Sequence, residues 1–239
     1  MKTLVLGHNG MLGHMVIKYL LSKDIPVVTV NERWPFKHNN CSLFDFDGEY
    51  IINCIGAIPQ KNTDFAINYE LPIWLDQNMN CKIINPGTDY GLDNNEYDSS
   101  KLKANDYILK RGKQTKTIRT AIIGPELKSK NGLFEWFMDS NGKVNGWTEA
   151  YWSGITTLQW AKECFSLMNN FYNSNLISTI ATECITKYSL LNIIKEVFNK
   201  DIIINKNPDF KVNRCLISDI KVKNIKQQFI ELKKFYYDN

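Results

Sequence analysis

The sequence predicts an α/β protein with a parallel sheet covered by helices on both faces, and three observations predict it. Short, continuously apolar runs recur at residues 2–7, 25–30, 50–58, 81–87 and 115–124. Segments with helical spacing fit between several of them. The first run ends in a loop with three glycines, Gly7, Gly10 and Gly13, that leads into a helical pattern. Strands that are apolar on both faces imply helices above and below, which is how parallel sheets are buried.

Each element follows in order. "KTLVLG" is a short buried strand ending in glycine. From Met11, the residues Leu12, Val16 and Leu20 recur every four positions, the spacing of one helical face. "IPVVTV", "YIINCIGAI", "CKIINPG" and "TKTIRTAIIG" are the further strands, with helices expected over 64–78 and 97–110. After Gly124 the texture changes. Residues 131–157 are rich in Trp, Gly and Asn and read as a short helix, a strand and an irregular loop. "LQWAKECFSLM" reads as a helix and "NLISTIA" as a short strand. Thr186 reads as an N-cap, since Leu190, Leu191, Ile194, Val197 and Phe198 follow on one helical face. "DIIINK" is another strand, and a last helix fills the lysine-rich end. The division expected is a dinucleotide-binding domain over 1–124 and a smaller, mixed α/β substrate lobe over 125–239, packed on it.

Composition excludes several classes. The chain has 239 residues, 44% hydrophobic and 23% charged, as in ordinary globular proteins. No run approaches the ~18 apolar residues of a membrane span. The N-terminal run breaks at Gly7 and His8, too early for a signal peptide, so a cytoplasmic location is expected. Cys41, Cys54, Cys81, Cys164, Cys184 and Cys215 contain no Cys-x-x-Cys pair and are expected to be buried, reduced thiols. His8, His14 and His38 have no metal-ligand spacing, so no metal site is expected. The net charge of +4 is mild. The lysines from Lys206 to Lys234 read as a solvated helix face, or as a basic rim for an anionic substrate. Nucleic-acid binding would need a denser stripe with interleaved aromatics.

The glycine loop, "GHNGMLG", points to a dinucleotide. The first glycine permits a tight turn, the second lets backbone approach a pyrophosphate, and the third lets helix and strand pack closely. The helix N-terminus then offers N–H groups and partial positive charge to phosphates. The second strand ends in Asn31, Glu32 and Arg33. An acid here holds the ribose 2′-hydroxyl of NAD, and an Arg accommodates the 2′-phosphate of NADP. Uncharged Asn31 with Arg33 after it tips the expectation to NADP(H) over NAD(H); otherwise Arg33 is an exposed loop cation.

A second grouping lies in "TDYGLDNNEYDSSK", residues 88–101. A free phenol has a pKa near ~10 and is a poor acid or base at neutral pH. Lys101 stands four residues after Tyr97, on the same helical face, and its charge is expected to lower the pKa of the phenol. Thr88, just past a strand end, could hydrogen-bond a substrate oxygen. Together these can move a proton at a carbinol while a nicotinamide moves the hydride. Taken alone, Tyr-x-x-x-Lys is a common pattern on exposed helices. Its place beyond the strand ends, where open parallel sheets bind ligands, is what gives it weight.

These motifs and their order resemble the extended short-chain dehydrogenase/reductase family, most closely its dTDP-4-dehydrorhamnose reductases and related nucleotide-sugar reductases and epimerases. The resemblance covers most of the chain and is firmer before residue 125. It implies a Rossmann-like doubly wound sheet. It places Gly7, Asn9, Gly10, Met11, Leu12 and Gly13 at the cofactor, with Asn31 and Arg33. "FDFD" resembles the segment by the adenine, implying Asp45 and Phe46. "INCIGAI" implies Cys54, Ile55 and Gly56 at the nicotinamide ribose, and "AINYELP" a recurrent Asn, here Asn68. "GTDYGLD" and "YDSSK" resemble the catalytic segments, implying Thr88, Tyr97 and Lys101, with Ser100 before the lysine; Tyr97 and Lys101 would also touch cofactor. "WSGITTLQWA" resembles a segment opening a helix in the substrate lobe, and "NRCLIS" one with an Arg facing the nucleotide-sugar. Thr88, Asp89, Trp152 and Arg214 are accordingly expected at the substrate. Trp147, Tyr151 and Trp152 could stack on a base or sugar, or belong to the core or a subunit contact.

Two departures stand out. Only three residues separate Asp93 from Tyr97, where relatives have a long loop that shapes the substrate mouth. Asp98 stands where the family commonly has a small residue, and could offset Lys101. The function implied is an NAD(P)-dependent reductase acting on a 4-keto-6-deoxy nucleotide-sugar, in deoxysugar and surface-polysaccharide biosynthesis. The rivals are a nucleotide-sugar epimerase, and a non-catalytic dinucleotide-binding subunit of the same fold. The partner expected is a nucleotide-diphosphate sugar, and the assembly a homodimer.

Overall fold

A computed structural model describes residues 1–36, 43–61, 64–89, 95–112, 114–128 and 130–238. His38, Cys41 and residues 90–94 of the shortened loop lie outside them. The first half alternates strand and helix: β1 Thr3–Leu6, α1 Met11–Leu21, β2 Val27–Thr29, β3 Tyr50–Asn53, α2 Ile67–Asn78, β4 Lys82–Pro86, α3 Glu96–Arg111 and β5 Thr115–Arg119. Then come β6 Ile122–Ile123, α4 Leu133–Asp139, β7 Lys143–Trp152, β8 Ile155–Thr156, α5 Thr157–Asn169 and β9 Ile177–Thr179. The chain continues with β10 Ile185–Thr186, α6 Lys187–Val197, β11 Ile203–Arg214 and α7 Ile225–Tyr236.

The main sheet has six strands in the order β2-β1-β3-β4-β5-β9, all parallel. Its side chains alternate between two cores. Val5, Ile52 and Ile84 pack on one face with α1 and α5, while Leu4, Leu6, Ile51 and Ile83 pack on the other with Leu71 and Leu75 of α2. That double burial is why β1, β3 and β4 read as apolar runs, whereas β2, at the sheet's edge, is largely exposed. The chain moves outward from β1 to β2 and then crosses back to place β3 on β1's other side. The carboxyl ends of β1 and β3 therefore flank the point where the strand order reverses, the crevice in which open α/β sheets bind ligands. The sheet takes its sixth strand, β9, from residues beyond 124.

A second sheet, β10-β7-β11, pairs β7 antiparallel with β10 and parallel with β11. Here expectation and structure differ. Residues 147–152, expected to be irregular, form the second half of β7, and the strand expected over 201–206 extends to Arg214. Trp147 and Tyr151 remain partly exposed on this sheet, Trp147 against Phe210 at 4.6 Å between ring centroids. The apolar run at 50–58, by contrast, stops being a strand at Asn53.

The expectation of reduced cysteines is corrected at one pair: Cys184 and Cys215 form a disulfide. β10 and β11 flank β7, and both are in register with Trp152, its last residue. Beyond that point the flanking chains close to 5.6 Å between the Cα atoms of Cys184 and Cys215. Spacing along the chain could not show this, since 31 residues separate them. Cys54, Cys81 and Cys164 are free thiols, and burial pushes all three up in pKa.

Candidate active site

The site begins with the turn after β1. Gly7 has φ +75, a left-handed conformation that glycine adopts without steric cost, and a Cβ there would meet the Cys54 carbonyl at 2.8 Å. The Gly10 N–H donates to the Gly7 carbonyl at 2.9 Å, closing the loop. A Cβ on Gly13 would lie 2.2 Å from the Gly7 carbonyl oxygen, so only glycine lets α1 pack this close to the turn. Side-chain oxygens cap α3, α5, α6 and α7 (Asn95, Thr156, Thr186 and Asn224). α1 starts on Gly10 with no such cap and no acid in its first turn. Its N-terminal N–H groups face a cleft of about 530 Å³ lined by Gly10, Met11 and Leu12.

The same cleft brings together Cys54, Ile55 and Gly56 past β3, Thr88 and Asp89 past β4, Tyr97 and Lys101 on α3, and Trp152, Lys187 and Arg214 from the second half. Residues 54–58 leave the strand but stay apolar because they line this cleft. Asn68 of α2 holds them: its amide accepts from the Ala57 N–H at 2.9 Å and donates to the Ala57 carbonyl at 3.0 Å and to Ser100 Oγ at 3.1 Å. Lys101 is buried beneath, its Nζ close enough that a Cβ on Gly56 would lie 3.4 Å from it. Burial pulls its pKa down to about 8.

The Tyr97 phenol lies near the Thr88 hydroxyl, which acts to lower its pKa and itself donates to Asp89 Oδ1 at 3.2 Å. Its ring packs edge-on against Phe65. The expected tuning is corrected here. Burial raises the Tyr97 pKa, Asp89 and Asp98 raise it further, and Thr88 and Arg214 oppose them. These influences together raise it, and the Lys101 ammonium lies beside Gly56. Asp98 does not offset Lys101 either. It is buried and paired with Arg214, Nη2 to Oδ2 at 2.9 Å and Nη1 to Oδ1 at 3.4 Å. Asp89 Oδ1 shares Nη1 of the guanidinium with Asp98, at 3.4 Å. Burial pushes the Asp89 carboxyl up, against Arg214 and Lys187.

Other expected residues fall outside the cleft lining. Gly7, Asn9 and Gly13 build the loop itself. Asn31 and Arg33 are exposed just past the carboxyl end of β2, on the glycine loop's side of the sheet. Phe46 packs on Gly48, ahead of β3, with Lys2 Nζ 5.9 Å from its ring centroid, and Asp45 beside it is exposed. Lys2 and Gly48 precede β1 and β3, so this segment sits at the amino end of the sheet, opposite the cleft. Trp152 is buried and lines the cleft, whereas Trp147 and Tyr151 do not line it. Lys187 was not expected at all. The signal for it was the N-cap Thr186, which places the next residue at the mouth of a helix. The C-terminal lysines form a solvated face: Lys223 pairs with Glu231, and Lys226 with Glu196 at 2.5 Å.

No protein-family model and no curated protein matches the sequence. Solved structures match its fold. A dTDP-4-dehydrorhamnose reductase from Clostridium acetobutylicum superposes with a TM-score of 0.75 over 97% of this chain and 98% of that one, at 16% identity. One from Bacillus anthracis, in complex with NADP, gives 0.75 over 100% and 99%, at 10% identity. A UDP-N-acetylglucosamine 4-epimerase from Bacillus cereus gives 0.70 over 97% of each chain, at 18% identity. These structures belong to the extended short-chain dehydrogenase/reductases that the motifs resemble, and identities this low establish a shared Rossmann-like fold.

Proposed function

We propose that the chain is an NAD(P)-dependent reductase of a keto-sugar held on a nucleoside diphosphate, with a 4-keto-6-deoxy sugar as substrate. The observation that supports it most is that Thr88, Tyr97 and Lys101 line one cleft with Gly10, Met11 and Leu12 of the glycine loop. The loop fits a dinucleotide: α1 presents uncapped N–H groups, and side chains at Gly7 or Gly13 would fill the space that backbone now occupies.

A nicotinamide bound there would supply the hydride for the C4 carbonyl. The chain's residues do the rest. Tyr97, kept a neutral phenol by its raised pKa, donates its proton to the developing alkoxide. Thr88, by turning its hydroxyl proton from Asp89, would donate to the same oxygen. Lys101, beside Gly56, would hold the nicotinamide ribose. Arg33, exposed past β2, favours NADP(H) over NAD(H) in this reading, since it could pair with a 2′-phosphate.

Titration with NADPH and NADH, repeated on Arg33→Ala, tests the cofactor. NADPH is expected to bind more tightly, and the substitution to erase the difference. Turnover of dTDP-4-keto-6-deoxy sugars should fall about 10²–10⁴-fold in Tyr97→Phe with NADPH affinity kept. Binding of neither dinucleotide sinks the proposal. Sugar interconversion without net NADPH oxidation points to an epimerase instead, and binding without turnover to a non-catalytic subunit.

A further inference from the structure

Past β4, two strands along the sheet from the glycine loop, Asp89 lines the cleft with Lys187 and Arg214, and the buried Asp98 pairs with Arg214. The two carboxylates both close on Arg214. Its charge is compensated twice within the protein, with Nη1 shared by the two carboxylates and Nη2 taken by Asp98. Lys187 is arranged differently. It is the first residue of α6, after the capping Thr186, and its Nζ lies 5.0 Å from the centroid of the buried Trp152 ring. Among the described residues no carboxylate lies within ion-pair distance of this ammonium, and Asp89 acts on it only through its field. Burial pulls Lys187 down to about 8, so the surrounding carboxylates do not offset its loss of water.

A desolvated cation on a cavity wall is costly until an anion meets it. The anion in question is not the cofactor's pyrophosphate, whose place is the N-terminus of α1 at the other end. Lys187 shares Asp89 and Arg214 with the Tyr97 end, so its partner is the molecule whose carbonyl reaches Tyr97. We propose that Lys187, rather than Arg214, is the residue that binds the phosphate groups of the substrate. Arg214 holds Asp89 and Asp98 in place beside Thr88 and Tyr97. The inference rests on the nucleotide-sugar reading above.

The test uses the full chain saturated with NADPH, which blocks the cofactor site, and titrates dTDP, UDP and GDP by calorimetry. Lys187→Gln and Lys187→Met remove the charge, Met keeping an unbranched stem over Trp152, and Lys187→Arg restores it. Unchanged NADPH affinity and melting temperature show that a variant is folded. At least one diphosphate should bind wild type and Lys187→Arg within a few-fold of each other, and the two uncharged variants about tenfold or more weaker. Equal diphosphate binding by a folded uncharged variant overturns the assignment and leaves the reductase reading standing. Wild type that binds NADPH but none of the three diphosphates overturns the nucleotide-sugar reading itself, and the assignment with it.

Discussion

The two ends of the cleft are built by different means. At the glycine loop, backbone does the work: Gly7, Gly10 and Gly13 bring the turn, α1 and the end of β3 together. At the other end, four ionised side chains from residues 89, 98, 187 and 214 compensate one another only in part. The first end depends on the absence of atoms. The second depends on a charge balance assembled across both halves of the chain, with the Cys184–Cys215 bridge tying the segment before Lys187 to the one after Arg214. Shape at one end and charge at the other should therefore fail separately.

The largest effect is expected from Gly13→Ala. Its Cβ would fall 2.2 Å from the Gly7 carbonyl oxygen and 2.7 Å from the carbonyl carbon, both backbone atoms that cannot turn aside. Either α1 or the loop must move, at about 1–3 kcal/mol or more for such overpacking. Dinucleotide binding should fall below detection in calorimetry, with a lowered melting temperature. A variant that binds NADPH as wild type does would show that this end is not defined by close backbone approach.

Asp98→Asn should act the other way round. It removes one charge from a buried pair while keeping the side chain's shape. Breaking such pairs costs about 3–5 kcal/mol, and less here, because the Arg214 side chain is 23% exposed and retains Asp89. Chemical denaturation should show a loss of about 2 kcal/mol, with NADPH affinity unchanged. A matching loss of NADPH affinity would mean that the two ends are one coupled unit.

The same contrast decides what could be read in the sequence. The glycine loop and the five first-half strands, four of them buried, were legible because they leave a local mark, either a glycine or an apolar run. Thr186 was legible as a cap for the same reason: it accepts from the Ser189 N–H, three residues away. β7 past Gly146 was not legible, since one face of it is open to solvent and Trp147 and Tyr151 break the apolar pattern. The pairing of Asp98 with Arg214 spans 116 residues, and Cys184 with Cys215 spans 31. Nothing in local spacing encodes either. The i,i+4 rule brought Tyr97 and Lys101 to one cleft, but could not say that burial and the carboxylates of Asp89 and Asp98 would raise the phenol's pKa.

The smallest effect, and the one that separates the two lysines, is a pH dependence. Lys101 and Lys187 both have pKa values lowered by burial to about 8. Each is charged below that value and neutral above it. If Lys101 holds the nicotinamide ribose as an ammonium, NADPH affinity should decline above about pH 8. The charged fraction falls about tenfold per pH unit there, which bounds the loss near tenfold at pH 9. Lys101→Arg should flatten the profile, while Lys187→Gln should leave the decline intact. Stability should move oppositely. A lysine whose pKa is lower folded than unfolded binds fewer protons in the native state between about 8 and the ordinary 10.5. Unfolding then takes up protons, and the unfolding free energy rises with pH across that window. The protein should therefore become harder to unfold over the interval in which it loses cofactor. NADPH affinity that stays level from pH 7 to 10 would place the ammonium of Lys101 away from the dinucleotide, and leave the glycine loop to hold it alone.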